Sequence, residues 1–249
     1  MEDRRYLGSI SKYSDSPINF GGHSNIFKCI DKYTDQFVCY KEFCSLEYMN
    51  AIKDTILNLI KMYGNYDYAF PSSIVFDKER CDKGYITDYY EGYISIDDLV
   101  LSHEKKLELI KKARELVEKL HKDYKCLHAD LAPWNFLYNE YLDHLVLCDF
   151  DTSLFMNKDN KINDLVHSVI TLNYLKYQKL DEGLDIYLFN LFTYAILNNV
   201  NFNDVLYMVR NNKYGVLSDN EKAKKILSSY DELNNGKILK KEYIMDFIN

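Results

Sequence analysis

The sequence is short of the residues that punctuate a chain. It has 9 glycines and 3 prolines in 249 residues, and they form no Pro- or Gly-rich linker between separable parts. Internal repeats and low-complexity tracts are missing too, which excludes a solenoid. Paired cysteines are also missing. The six, Cys29, Cys39, Cys44, Cys81, Cys126 and Cys148, show no C-x-x-C spacing and no accompanying histidine cluster. That argues against a zinc site or a disulfide framework and for reduced thiols in a cytoplasmic protein. Basic runs are absent: 31 Lys+Arg stand against 38 Asp+Glu, a net charge of −7. A nucleic-acid partner is therefore not expected on charge. The 23 tyrosines are scattered along the whole chain and read as packing and surface cover rather than as a base-stacking platform. Long apolar runs are lacking as well. The most apolar stretch, 184–197, is interrupted by Asp185 and Asn190, so it reads as a buried helix and not as a membrane span. The first ten residues lack the apolar core of a signal peptide.

What is present is enough apolar material to fold. Hydrophobic residues make up 47% of the chain, and its length suits one large domain or two small lobes. Segments 24–29 and 36–43 are rich in β-branched, aromatic and thiol side chains around a polar turn at 31–35, which predicts two strands. A helix is predicted over 46–63, with Met49, Ile52, Ile56, Leu59, Ile60 and Tyr63 on one face and Gly64 and Asn65 as its stop. Further strands are expected at 73–76 and 84–89. A long amphipathic helix follows at 103–121, then two short apolar pieces at 135–138 and 144–148, and a helical pattern from Asp164 onward. A β-rich part with one helix followed by an α-rich part is an α+β plan, with the crossing near 88–92.

The densest polar chemistry lies at His128-Ala129-Asp130-Leu131-Ala132-Pro133-Trp134-Asn135, on a loop between the long helix and a short strand. A loop lets an aspartate meet a substrate hydroxyl, where a helix would commit it to one face. Asn135 offers an amide oxygen. The apolar strand ending at Cys148 then delivers the carboxylate of Asp149, followed by Phe150 and Asp151. A carboxylate and an amide oxygen, completed by phosphate oxygens and water, suit Mg²⁺.

These residues resemble the catalytic loop and metal-binding motif of the protein kinase superfamily, H-x-D-L-x-x-x-N followed by D-F-x. The resemblance implies a bilobal protein-kinase-like fold, with a β-rich N-lobe carrying one main helix over 1–88 and an α-helical C-lobe over 89–249. It extends upstream. Phe20-Gly21-Gly22-His23-Ser24-Asn25-Ile26 looks like a glycine-rich phosphate loop with Ser24 in place of its last glycine. Val38-Cys39-Tyr40-Lys41 looks like the strand that carries the phosphate-binding lysine. By the same likeness Thr87 is the gatekeeper, and backbone groups of Asp88 and Tyr90 pair with the adenine edge. Cys39 and Leu137 sandwich the ring, with Ile26 over the nucleotide. Asp130 is the catalytic aspartate, and Asn135 and Asp149 hold the metal. Asp164, ahead of a helix over 165–177, resembles the aspartate that braces the catalytic loop, and reads equally as a helix N-cap. His128 reads as a structural brace. For the ion-pair partner of Lys41, Glu47 and Asp54 lie on nearly the same face of the first helix, with a slight preference for Asp54.

Several features depart from the family. Ala129 replaces the arginine that receives an activation-loop phosphate, Asp151 replaces the glycine of D-F-G, and Ala132 replaces a common lysine. The stretch between Asp151 and Asp164 is short and has no A-P-E. The expected activity is ATP- and Mg²⁺-dependent transfer of a phosphoryl group to a hydroxyl, as a protein Ser/Thr kinase-like enzyme. The alternatives are a kinase of sugars, lipopolysaccharide cores or antibiotics, whose H-A-D-L and D-F-D wording is similar, and a pseudokinase or nucleotide-binding scaffold. The acceptor, protein or small molecule, is expected to meet residues after Asp164, such as Asp181, Glu182, Asp185 and Tyr187.

Overall fold

Alternation along the first strands builds the architecture. In a computed structural model, which describes residues 4–211, 213, 220–234 and 241–247, the chain is α+β. It divides into two compact units, Met1–Tyr93 with Cys148–Thr152, and Ile94–Leu147 with Ser153–Asn249.

The first unit is built on a seven-stranded sheet. Its strands are β1 (Arg4–Tyr6), β2 (Ile10–Lys12), β3 (Asn19–Phe20), β4 (Ser24–Asp31), β5 (Gln36–Phe43), β6 (Ser73–Phe76) and β7 (Asp82–Asp88). The order is β1-β6-β7-β5-β4-β2, with β3 also paired to β4. The sheet is mixed, because β1 runs parallel to β6 and the other pairs are antiparallel. Side chains alternate across a strand, so one face of β4, β5 and β7 presents Phe27, Cys29, Val38, Tyr40 and Ile86. These form a closed core with Ile10 and Val75. The other face is left for Ile26, Lys28, Cys39, Lys41, Tyr85 and Thr87.

Helix α1 (Leu46–Ile60) starts where the Ser45 hydroxyl accepts the Tyr48 amide at 3.3 Å. It packs on β5, β6 and β7 and buries Met49, Ile52, Ile56, Leu59 and Ile60. Each such side chain contributes about 1.5–3 kcal/mol by leaving water. At Gly84 the backbone of β7 comes so close to β5 that a Cβ would sit 1.9 Å from the Lys41 carbonyl oxygen.

The second unit opens with β8 (Ile94–Ser95) and α2 (His103–Lys119), which Ser102 caps by accepting the Lys105 amide. A wider helical turn over Leu120–Tyr124 ends α2, and Lys125 turns the chain out with φ 51°. β9 (Cys126–Leu127) pairs with β12 (Leu154–Phe155), while β10 (Phe136–Asn139) lies between β11 (His144–Leu147) and β8. Helices α3 (Val169–Tyr177), α4 (Gly183–Asn198), α5 (Phe202–Arg210), α6 (Glu221–Leu227) and α7 (Ser229–Asn234) follow. The predicted helix over 165–177 starts later than expected, because Ser168 supplies the cap by accepting the Thr171 amide.

α4 is apolar on all sides and is buried from Gly183 to Ala195, as a helix without a solvent face must be. Its interior Asn190 donates to the Glu242 carbonyl at 2.9 Å and accepts the Ile244 amide at 2.8 Å. Among the described residues no helix is long and apolar enough to cross a membrane.

Candidate functional site

In the first unit, strand register gathers the predicted nucleotide-side residues. Ile26 pairs with Lys41 and Lys41 with Tyr85; one step along, Lys28 pairs with Cys39 and Cys39 with Thr87. Paired residues two apart share a face, so Ile26, Cys39, Lys41 and Thr87 line the same side of the sheet. The glycine pair makes the tight turn from β3 to β4. The Gly21 amide donates to the Ser24 carbonyl at 2.7 Å, and the Ser24 side chain is buried beneath the turn. Gly21 and Gly22 themselves are exposed.

Lys41 is buried, and its ammonium meets two carboxylates. It hydrogen-bonds Asp149, and it lies 2.7 Å from Asp151 Oδ2. The Tyr85 hydroxyl donates to the other Asp151 oxygen at 2.5 Å. Between the two aspartates, Phe150 packs on Phe70 with ring centroids 4.7 Å apart and edge-on to Tyr68 at 6.2 Å. This anchored ring holds the pentapeptide Cys148–Thr152 under the sheet while Asp149 sits at φ 65°. Such left-handed backbone costs a non-glycine residue of order 1–3 kcal/mol and needs support of this kind.

Burial alone would lower Lys41, but the charges of Asp149 and Asp151 overturn this and hold the ammonium well above its ordinary value. Burial pushes the Asp151 carboxyl up, Lys41 pulls it down, and the Asp149 charge leaves the balance upward. The two acids differ in access: the Asp149 side chain is 38% exposed and that of Asp151 5%. Lys41 meets both acids, and the more reachable oxygens of the two are those of Asp149. That donor set fits a hard divalent cation.

The expected helix partner of Lys41 is corrected here. Glu47 and Asp54 are both exposed, whereas Lys41 is not. The helix instead presents Tyr48, whose ring stacks on Phe43 at 5.3 Å and on His23 at 4.6 Å. Beyond β7, the Asp88 carboxylate accepts the Tyr63 hydroxyl, the Tyr90 hydroxyl donates to the Tyr66 carbonyl at 3.3 Å, and the Tyr93 amide donates to the Tyr90 carbonyl at 3.4 Å.

In the second unit the loop carrying Asp130 hangs on one buried acid, Asp185, in the first turn of α4. Its Oδ2 accepts the His128 amide and its Oδ1 the Ala129 amide, each at 2.8 Å, and His121 Nε2 lies 2.8 Å from Oδ2. The Thr171 hydroxyl donates to the Ala129 carbonyl at 3.1 Å. These bonds fix Ala129 at φ 62°. Burial works to raise the Asp185 carboxyl, but the His121 ring, the nearby His128 and the Ala129 amide outweigh it and hold it below the usual carboxylate range. His128 is wholly buried, and its Nδ1 accepts the Asp130 amide at 3.3 Å. Asn135 donates its side-chain amide to the Asp130 carbonyl at 2.8 Å, which fixes the plane of its own amide group. Asp130 is half-buried. Leu137 is a half-buried residue of β10 and belongs to this unit.

Two further expectations are corrected by this geometry. Asp164 lies exposed in a turn, and the brace is Asp185. The acids named for an acceptor also have structural partners. Asp181 accepts the Tyr174 hydroxyl and the Gly183 amide, and both Asp181 and Glu182 pair with Lys241 at 3.1 Å. The Tyr187 hydroxyl donates to the Leu227 carbonyl at 3.1 Å. A signal for the brace exists in the sequence: Asp185 is the one charge in the apolar stretch 184–197, and a charge there needs buried partners. Neither a protein-family model nor a curated protein sequence matches this chain.

Proposed function

We propose that the chain is an ATP- and Mg²⁺-dependent phosphotransferase of two-lobed, protein-kinase-like build that transfers the γ-phosphoryl group to a hydroxyl. The observation that carries this reading is the buried Lys41, held on the sheet face beside Ile26, Cys39 and Thr87 by two acids of which only Asp149 is accessible. A nucleotide site needs one cation for phosphate oxygens and one carboxylate for a metal. Bound Mg²⁺·ATP supplies a phosphoryl group whose negative charge is already partly neutralised.

The chain's residues then do the following. In the first unit Lys41 and the backbone of Gly21–Ser24 hold phosphate oxygens, and Asp149 holds the metal. Asp130 orients the acceptor hydroxyl and takes its proton at a carboxylate oxygen. The Asp185 brace keeps Asp130 in place, so most of the rate comes from positioning and electrostatics.

The acceptor is a hydroxyl of a protein or of a small molecule. One observation favours the second over a protein Ser/Thr substrate. After Thr152 the chain enters β12 at once, and Asn160 closes the next loop by accepting the Phe155 amide at 2.7 Å and donating to its carbonyl at 2.9 Å. That leaves little chain for a peptide groove. A nucleotide-binding scaffold without turnover would be expected to lack Lys41, Asp130 or Asp149, and all are present.

Calorimetric titration with ATP in the presence and absence of Mg²⁺ tests the reading. Binding should need Mg²⁺, and Asp149→Asn should abolish that dependence. Equal affinity with and without the metal, or none at all, would refute it.

A further inference from the structure

In the first unit the acid that positions Lys41 comes from the same pentapeptide as the metal-binding aspartate and not from helix α1. We infer that Asp151 is the standing counter-ion and positioning residue of Lys41, with Tyr85 as its second holder, and that α1 takes no part in the site's charge balance. This rests on the phosphotransferase reading and extends it to how the lysine is kept ready.

The geometry gives Asp151 this place. Both its oxygens are used, Oδ2 by Lys41 at 2.7 Å and Oδ1 by the Tyr85 hydroxyl at 2.5 Å. Tyr85 is the direct cross-strand neighbour of Lys41. One carboxylate therefore ties two adjacent strands, β5 and β7, at the level of the amine. Its side chain is 5% exposed, against 38% for Asp149, so solvent and metal reach Asp149 first. When a metal takes Asp149, Lys41 keeps Asp151.

Helix α1 buries no acid that could take the place of Asp151. The residues that α1 turns inward are Tyr48, Met49, Ile52, Ile56, Leu59 and Ile60, and its acids Glu47 and Asp54 are exposed. Tyr48 covers the lysine's neighbourhood through Phe43, which itself packs on Tyr85 at 5.8 Å. A helix that contributes a ring but no charge can shift without stripping Lys41 of its partner. Phe150, locked between Phe70 and Tyr68, sets the spacing of the two acids along the chain. The glycine expected at position 151 could not do this, having no carboxylate. Its replacement is thus the substitution that frees α1 from the task.

The test is a set of variants in the full chain, each first checked for a cooperative melt. Mg·ATP affinity is measured by calorimetry, and KM and kcat by ADP release. Asp151→Asn should weaken Mg·ATP binding about 10-fold or more, the scale of a lost charge-assisted bond, and should raise KM more than it lowers kcat. Asp151→Glu should recover part of the loss. Glu47→Gln and Asp54→Asn should stay within about 2-fold of the parent, against that same scale.

A double-mutant cycle of Lys41→Met with Asp151→Asn on denaturant melts reads the pairing without nucleotide, and should show non-additivity. Additive melts would overturn the pairing. So would an unchanged Mg·ATP affinity in Asp151→Asn, or an equal loss in Asp54→Asn or Glu47→Gln. Coupled melts in a wild-type chain that does not bind Mg·ATP would sink the phosphotransferase reading and the positioning role with it, and leave the ion pair standing as architecture alone.

Discussion

Lys41 in the first unit and Asp185 in the second are both buried charges, and they are satisfied in opposite ways. Asp185 is closed: two backbone amides and a histidine fill its oxygens, and it is 0% exposed. Lys41 is open. It meets two carboxylates, and one of them, Asp149, is partly exposed. A buried charge whose partners balance it builds shape. One whose partners overshoot has capacity left for a ligand. On the phosphotransferase reading, this distinction separates the scaffold from the chemistry in a chain where both units carry buried acids.

The contrast breaks most sharply by mutation. Asp130→Asn, at the end of the loop that Asp185 holds, should cut phosphoryl transfer by about 10²–10⁴-fold, the usual worth of a positioned general base. The melting temperature should hardly move, because Asp130 is half-buried and asparagine keeps its size and shape. Comparable initial rates for the two proteins would remove Asp130 from the reaction. Asp185→Ala should do the reverse. Losing the buried partner of His121 and of two amides should cost roughly 3–5 kcal/mol, seen in calorimetry as a melt lowered by about 6–20 °C for a unit of this size. A shift under about 2 °C on that same scale would mean that the loop is held by something else.

The same acid gives the comparison a pH axis. Folding lowers the Asp185 carboxyl below its ordinary value near 3.9. The unfolded chain then binds more protons in that window, so the stabilisation is complete above about pH 4 and drains away as pH falls through the folded value. Urea melts from pH 6 to pH 3 should show wild type losing stability faster than Asp185→Asn at the acid end. Parallel curves would contradict the assignment.

The smallest effect concerns thiols. Burial pushes Cys39 up to about 11 and also raises Cys148, which Asp149 raises further. At neutral pH both should alkylate at least roughly tenfold more slowly than exposed Cys44, and Mg·ATP should slow Cys39 again. Mass-spectrometric labelling reads all three. Cys39 reacting as fast as Cys44, or indifferent to Mg·ATP, would move the nucleotide away from this sheet face.

The sequence reveals long elements and hides short ones. The strands at 24–31 and 36–43 and the helices at 46–60 and 103–119 have enough residues to display a period. β1, β2, β3, β8, β9 and β12 have two or three residues each. No period fits in that length, and only their partners make them strands. Lys41, Asp130, Asn135 and Asp149 were legible as motif residues. Asp151 was visible only as a missing glycine, since nothing local tells that its carboxylate turns toward a lysine far upstream. Asp185 shows in the sequence as a break in an apolar helix, and only the fold reveals that the loop of His128 and Ala129 hangs on it.

The close approach at Gly84 has a consequence for variation. Any side chain there would drive a carbon into the carbonyl of the residue that carries the ammonium, displacing the strand under Lys41 itself. In a selection from random mutagenesis, surviving clones should carry glycine at this codon as strictly as lysine at position 41, with only synonymous changes passing. A position that touches no reacting atom would then score as invariant, and for a reason written entirely in backbone.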